Sequence, residues 1–256
     1  MSNPLFNLTG RTALITGSSR GLGHAIATGL AQAGARIVLN GVDAARVKAS
    51  SEALRSAGHD VLEAAFDVGS EAAIVDAFAT LDAAGVEVDI LVNNAGIQFR
   101  KPLVELALVD WQRVIDINLT SAFLVGREAA RRMIARNRGG KVINIASLNS
   151  EVSRPTIGPY TAAKGGVKML TRSMAAEWAP HGIQANAIGP GYMATEMNQA
   201  LLDNPAFDAW VKQRTPARRW GRPDELVGTA VYLASSASDF VNGQIVYVDG
   251  GLLAVM

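Results

Sequence analysis

The chain has 256 residues, 49% of them apolar and 18% charged, enough to bury a large core in one α/β domain or two small ones. Its net charge is +1, with lysine and arginine scattered, which gives no support to nucleic-acid or polyphosphate binding. With no cysteine, disulfide and thiol chemistry are excluded.

At the amino end, MSNPLFNLTGR lacks the basic and apolar regions of a secretory signal. No apolar stretch approaches the roughly 18 residues a membrane span needs. The expectation is a cytoplasmic protein without a membrane partner. A β-leaning run follows, TALIT at 12–16, then TGSSRGLG at 16–23 and the helix-like HAIATGLAQAG. This is strand, glycine turn, helix. Gly17 permits the turn, Gly21 lets the backbone approach a pyrophosphate, and Gly23 lets the helix pack close to the strand. The free N–H groups of the helix start then face phosphates, with Ser19, Arg20 and Leu22 in the same turn. A plain βα turn would need its glycines only for geometry, but here both flanks fit the dinucleotide motif.

The next strand, 35–40 (ARIVLN), should show which nucleotide binds. A carboxylate at its tip would hold a ribose 2′-hydroxyl; an arginine nearby would hold a 2′-phosphate. The tip is Asn40, Gly41, Val42, so nothing repels a 2′-phosphate, and Arg20 offers positive charge. Asp43 reads as the N-cap of the following helix. The reading favours NADP over NAD.

Further strands are predicted at 61–66, 89–93, 141–146, 183–188 and 244–248, and helices near 21–33, 43–57, 70–84, 110–136, 158–179 and 224–235. This alternation implies βαβ units: a doubly wound, Rossmann-type, seven-stranded parallel sheet with helices on both faces. No linker and no repeat divides the chain, so 1–256 reads as one dinucleotide-binding catalytic domain, with a substrate lid at about 192–222. Ligands belong at the carboxyl ends of such strands. There the chain places Asp67 and Val68, Asn93 to Gly96, Ser147, and Pro190 with Gly191. The three histidines, His24, His59 and His181, show no metal-ligand spacing. The run ARRMIARNR at 130–138 reads as a solvated helix end.

Tyr160 and Lys164 stand four residues apart in PYTAAK, one above the other on a helix face. The ammonium is expected to lower the phenol's pKa from about 10 and so let Tyr160 move a proton near neutral pH. Ser147 supplies a hydroxyl that could hold a substrate oxygen beside it. A surface tyrosine and a solvated lysine could share this spacing by accident.

Together these segments resemble the short-chain dehydrogenase/reductase family: TGSSRGLG, Asp67, NNAG at 93–96, Asn118 in INLTSAF, Ser147, YTAAK and PGYMAT at 190–195. The matches run through nearly the whole chain in the family's order. The resemblance implies a catalytic tetrad of Asn118, Ser147, Tyr160 and Lys164. In it Tyr160 is the proton donor or acceptor, Ser147 orients the substrate oxygen, Lys164 lowers the Tyr160 pKa and binds the nicotinamide ribose, and Asn118 holds a relay water. It places Asp67 and Val68 at adenine, Asn94, Ala95 and Gly96 along the cofactor, and Met193 and Thr195 at the carboxamide, with Asn40, Pro190 and Gly191 bordering the same groove. It also implies a homotetramer built through the long helices at 110–136 and 158–179, with Leu124, Ala129 and Met133 as a candidate apolar face or as intrachain core.

VLNG, NNAGIQFRKPL, SRPTIGPYTAAKG, RTPARRWGRPDELVG and FVNGQIVYVDGG are similar to the group within the family that interconverts D-gluconate and 5-keto-D-gluconate with NADP. That group commonly has arginine where this chain has Val42, a departure that leaves NAD open. A sugar-acid carboxylate needs a cationic partner, and Arg100 and Arg154 are the candidates beside Ser147, Asn149 and Tyr160. Trp210 and Trp220 fall in the expected lid, where packing would explain them equally well. Two other readings stand beside this one. One is reduction of a 3-ketoacyl thioester, or of another sugar or alcohol, with Arg127, Arg131, Arg132, Arg136 and Arg138 as a carrier-docking patch. The other is a nucleotide sensor without catalysis, which would have no need of a tuned phenol.

Overall fold

A computed structural model describes residues 4–255. Seven strands form: Thr12–Ile15 (β1), Arg36–Gly41 (β2), Val61–Ala65 (β3), Ile90–Asn93 (β4), Gly140–Ile145 (β5), Ile183–Pro190 (β6) and Ile245–Val248 (β7). All pair in parallel in one sheet of order β3-β2-β1-β4-β5-β6-β7. The central strands are continuous aliphatic runs because helices cover both faces; Leu14, Leu39, Leu91 and Ala185 are all fully buried.

Among the described residues nine α-helices connect them: Gly21–Gln32 (α1), Ala44–Ser56 (α2), Glu71–Ala83 (α3), Leu108–Ile115 (α4), Ser121–Ala135 (α5), Gly158–Trp178 (α6), Gln199–Leu202 (α7), Pro205–Arg214 (α8) and Val227–Ala234 (α9). One core joins α1, α2 and α9 to one face of the sheet through Ile26, Leu30, Val47 and Leu233. The other joins α3, α5 and α6 to the opposite face through Phe78, Val125, Met133 and Met174. Leu124, Ala129 and Met133 belong to that second core, so the apolar stripe of α5 is intrachain packing.

Three expectations change. The stretch 110–136 is two helices joined by a one-turn π segment, Asp116–Thr120. The predicted helix at 224–235 opens as a 3-10 turn, Pro223–Leu226, before α9. The 192–222 segment holds α7 and α8, which no apolar periodicity announced. The start signal of α8 was nonetheless present: Asn204 Oδ1 accepts from Ala206 N and Phe207 N at 3.1 Å each, and Pro205 follows the cap. Asp43 caps α2 as expected, accepting from Arg46 N at 3.1 Å.

The arginines of α5 and of the turn after it are all ion-paired, while Arg131 and Arg138 stay largely exposed to solvent. The Glu128 carboxylate is buried and takes Arg131 at 2.8 Å, Arg132 at 3.0 Å and Arg127 at 3.3 Å. Arg132 also reaches Asp82 at 2.8 Å, Arg127 reaches Glu71 at 2.5 Å, Arg136 reaches Asp89 at 3.0 Å, and Arg138 pairs with Glu87. Three guanidiniums hold the Glu128 carboxyl below its usual range against the burial that opposes it. These charges tie α5 to α3 and to the start of β4. A carrier-docking patch would need them free.

Candidate active site

Strand order reverses between β1 and β4, and a crevice opens at the carboxyl ends of the strands there. It is an open cleft of about 1410 Å³. Its walls include Gly17, Ser19, Arg20, Gly21 and Leu22 after β1, Asp67 and Val68 after β3, and Asn94, Ala95 and Gly96 after β4. Ser147 and Asn149 after β5, Tyr160 and Lys164 on α6, and Pro190, Gly191, Met193 and Thr195 after β6 complete it. Asn118, Arg100 and Arg154 line it as well. Of the predicted site residues, Gly23 and Asn40 are absent from this wall; Gly23 packs behind it against Asn94 and Gly17.

Asn40 works behind the turn. It is 1% exposed. Its Oδ1 accepts from Gly17 N at 3.1 Å, and its Nδ2 donates to Ala64 O and Phe66 O at 3.0 Å each. The side chain therefore clamps the glycine turn to β3, with both its donors spent and its amide buried away from the cleft. Asn94 grips the same turn from the other side, donating to Thr16 O at 2.9 Å and Gly17 O at 3.0 Å. Thr16 Oγ1 accepts from Asn94 N and Ala95 N in return.

These clamps shape a cradle that suits a dinucleotide pyrophosphate. Gly17 has φ +60°, and a Cβ there would lie 2.9 Å from Ala95 Cα. A Cβ on Gly23 would lie 2.4 Å from Asn94 Nδ2 and 2.6 Å from Gly17 O, so only glycine lets α1 begin so close to β1. No side chain caps α1 and its first turn has no acidic residue, which leaves its first N–H groups to an anion in the cleft. Beyond the tip of β2 the wall is Gly41, Val42, Asp43 and Arg46; Val42 is 70% exposed. Arg20 reaches across the cleft mouth to Glu196 at 2.6 Å.

At the other end, Asn118 sits in the π segment with every polar atom engaged. Its Nδ2 donates to Ile97 O and Val114 O at 2.9 Å, and its Oδ1 accepts from Ile97 N at 3.2 Å. A Cβ on Gly96 would come within 2.7 Å of that Oδ1. The extra residue of the π turn is what points Asn118 at the loop after β4.

The Ser147 and Tyr160 hydroxyls are hydrogen-bond neighbours. Lys164 Nζ donates to Ile145 O at 2.6 Å and lies 5.7 Å from the Tyr160 ring centroid. The expected acidification of the phenol by Lys164 is not what this geometry gives. Burial raises the Tyr160 pKa, opposed by the Ser147 hydrogen bond and by the charge of Arg100. Burial also pulls the Lys164 ammonium down to about 8. The ammonium spends a hydrogen bond on the Ile145 carbonyl, and burial is the larger effect on both groups.

Arg100 and Arg154 approach the same end. Neither has a carboxylate partner among the described residues. Arg100 is lowered from the usual guanidinium range by burial and by Arg154, while Tyr192 and Tyr160 pull the other way. Arg154 stands over the Phe207 ring, 5.2 Å from its centroid. Tyr192, Phe207, Trp210 and Trp220 form one aromatic cluster with centroid separations of 5.4 to 6.5 Å. Trp220 Nε1 donates to Asp208 Oδ1 at 2.9 Å. Trp220 is therefore buried packing, Trp210 joins the cluster while 43% exposed, and neither lines the cleft. Thr16, Arg46, Gln98 and Tyr192 are wall or floor residues that sequence reasoning missed; Tyr192 stood inside the PGYMAT motif.

The sequence family described as enoyl-(acyl carrier protein) reductase matches residues 17–253. The chain belongs to the short-chain dehydrogenase/reductase family. It is similar to the gluconate 5-dehydrogenase of Gluconobacter oxydans, 48% identical over 98% of each chain. It is likewise similar to the 5-keto-D-gluconate 5-reductase of Escherichia coli, 48% identical over 99% of this chain and all of that one. A solved structure of a gluconate 5-dehydrogenase from Burkholderia cenocepacia in complex with NADP and tartrate superposes with a TM-score of 0.96 at 50% identity, covering 99% of each chain. As a short-chain dehydrogenase/reductase, this protein is an NAD(P)-dependent oxidoreductase acting on a secondary alcohol or its ketone.

Proposed function

We propose that this enzyme interconverts D-gluconate and 5-keto-D-gluconate, with NADP as its main cofactor. The observation that carries the substrate is the pair Arg100 and Arg154: two neighbouring guanidiniums without carboxylate partners in the cleft wall, Arg100 close enough to act on Tyr160. A partly buried cation without a counterion is costly, and a bidentate carboxylate offsets that cost. The relatives' names agree with this reading. The thioester alternative has less support, since each of its candidate docking arginines already holds an ion pair.

Gly17 to Gly23 and the open start of α1 would hold the pyrophosphate, Asp67 and Val68 the adenine, Asn94 to Gly96 the length of the groove, and Lys164, Met193 and Thr195 the nicotinamide half. NADP supplies the hydride acceptor or donor. Ser147 Oγ and Tyr160 hold the reacting substrate oxygen. In oxidation Tyr160 takes the hydroxyl proton as the C–H bond gives up hydride; in reduction the neutral phenol returns a proton to the forming alkoxide. Asn118 holds the relay position, and Asn149 borders the substrate. The 192–222 segment acts as the lid. Among the described residues no helix is long and apolar enough to cross a membrane. A cytoplasmic homotetramer is proposed with this function. Exposed Phe123 on α5, Met169 on α6, Val104 and Phe240 support the assembly.

Steady-state rates with D-gluconate, 5-keto-D-gluconate and an acetoacetyl thioester, each with both cofactors, test the assignment. Turnover confined to the sugar acid and its ketone is expected. Turnover of the thioester alone would overturn it. Tyr160→Phe should abolish turnover while NADPH still binds.

A further inference from the structure

α8 meets the substrate end of the cleft through one contact. Phe207 is not part of the cleft wall, yet its ring face carries the Arg154 guanidinium at 5.2 Å, and Arg154 is in the wall. Phe207 is itself fixed from three sides. Asn204 caps its backbone N–H at 3.1 Å. Its ring meets Trp210 at 5.4 Å and, edge-on, Tyr192 at 5.6 Å. Trp220 stands 6.5 Å away and is tied back to α8 through Asp208. Arg154 follows the 3-10 turn Leu148–Ser150, and the structure gives it no carboxylate to hold its orientation. A long side chain without its contacts to Phe207 and Tyr192 would lose more rotamer entropy on gripping a ligand.

We propose that Phe207 is a positioning residue: its ring presets the Arg154 guanidinium toward the carboxylate of a sugar-acid substrate, so that α8 sets affinity for the acid without touching it. This rests on the sugar-acid reading above. The ring attracts the cation through its quadrupole and shields one face from water, leaving the N–H groups that Tyr192 does not engage for a carboxylate. The same guanidinium donates a hydrogen bond to the Tyr192 hydroxyl, whose pKa burial raises and Arg154 opposes, so Tyr192 holds its edge while Phe207 holds its face. The effect belongs to binding, since the contact is the same before and after hydride transfer.

The test is a double-mutant cycle on the full-length enzyme. Phe207→Leu, which keeps apolar bulk and loses the ring face, should raise KM for D-gluconate about fivefold with kcat within about twofold. Phe207→Met should do the same, and Phe207→Tyr, which keeps the face, should restore the wild-type KM. NADPH affinity, read by fluorescence titration, should not move. In an Arg154→Met background, Phe207→Leu should add no further rise. An unchanged KM in both apolar variants, or the same fivefold rise in the Arg154→Met background, would refute the coupling. Failure of the substrate reading is separate: the wild-type enzyme would then turn over no sugar acid, whereas failure of the coupling shows only in the variants.

Discussion

Lys164 Nζ lies 5.7 Å from the centroid of the Tyr160 ring and gives its 2.6 Å hydrogen bond to the Ile145 carbonyl. The ammonium is 4% exposed as a residue and meets no carboxylate among the described residues. Burial therefore dominates both partners: the phenol rises and the ammonium falls to about 8. For stability the sign follows from proton binding. Between pH 8 and 10.5 the unfolded chain holds a proton on Lys164 that the folded protein has released, so stability rises with pH across that window. The cost of the buried charge is present in full below pH 8.

Urea denaturation of the cofactor-free protein checks this. From pH 8 to 10 the wild type should gain about 2 kcal/mol relative to Lys164→Met, which has nothing to titrate there. Parallel stability curves for the two proteins would show that the ammonium is not desolvated.

Arg100, rather than Lys164, is the cation that lowers the phenol's pKa here. Oxidation needs phenolate, so kcat/KM for D-gluconate should climb with pH. In Arg100→Met the climb should move to higher pH, because the opposing charge is gone and burial acts alone. KM for D-gluconate should also rise, by about tenfold or more, from the lost charge-assisted contact. A pH profile that stays in place while KM rises would confine Arg100 to binding.

The strands were legible because a parallel sheet covered on both faces needs continuous aliphatic runs, and TALIT, ARIVLN and KVINIA are such runs. The glycine turn was legible because its steric demands are local. Asn40 was misplaced because its partners, Ala64 and Phe66, arrive from the next strand, and a polar residue at a strand tip looks like a ligand until they do. The π turn at Asn118 was hidden inside an unbroken helical pattern; what selects it is the contact with Ile97, from the loop after β4. The direction of the Tyr160 shift was hidden for a related reason: spacing brings two side chains near, but burial decides which effect prevails.

Cofactor choice turns on the cleft beyond β2. Arg20 and Arg46 are the cations lining this part of the cleft, and Arg20 is held by Glu196 at 2.6 Å. Both side chains are well exposed, so the pair contributes only about 0–1 kcal/mol and yields readily to a phosphate. Val42 offers nothing. Val42→Arg should tighten NADPH about tenfold and leave NADH unchanged, by adding a guanidinium at the phosphate side alone. Fluorescence titration with both dinucleotides reads this. Equal tightening of NADH would place the new arginine on the shared pyrophosphate instead.

Asn40 supplies the sharpest separation of scaffold from ligand contact. Truncation to alanine leaves Gly17 N, Ala64 O and Phe66 O without their partner in a buried site. The loss should be about 3 kcal/mol, against about 1 kcal/mol for Asp43→Ala, which removes only an exposed helix cap. Because the clamp holds Gly17 at φ +60°, its loss should also weaken NADPH and NADH alike. Denaturation midpoints and the two dissociation constants check both halves. If Asn40→Ala kept full stability and weakened NADPH alone, the side chain would have to turn out of its clamp to meet the 2′-phosphate, and the original reading of the strand tip as a ligand contact would stand.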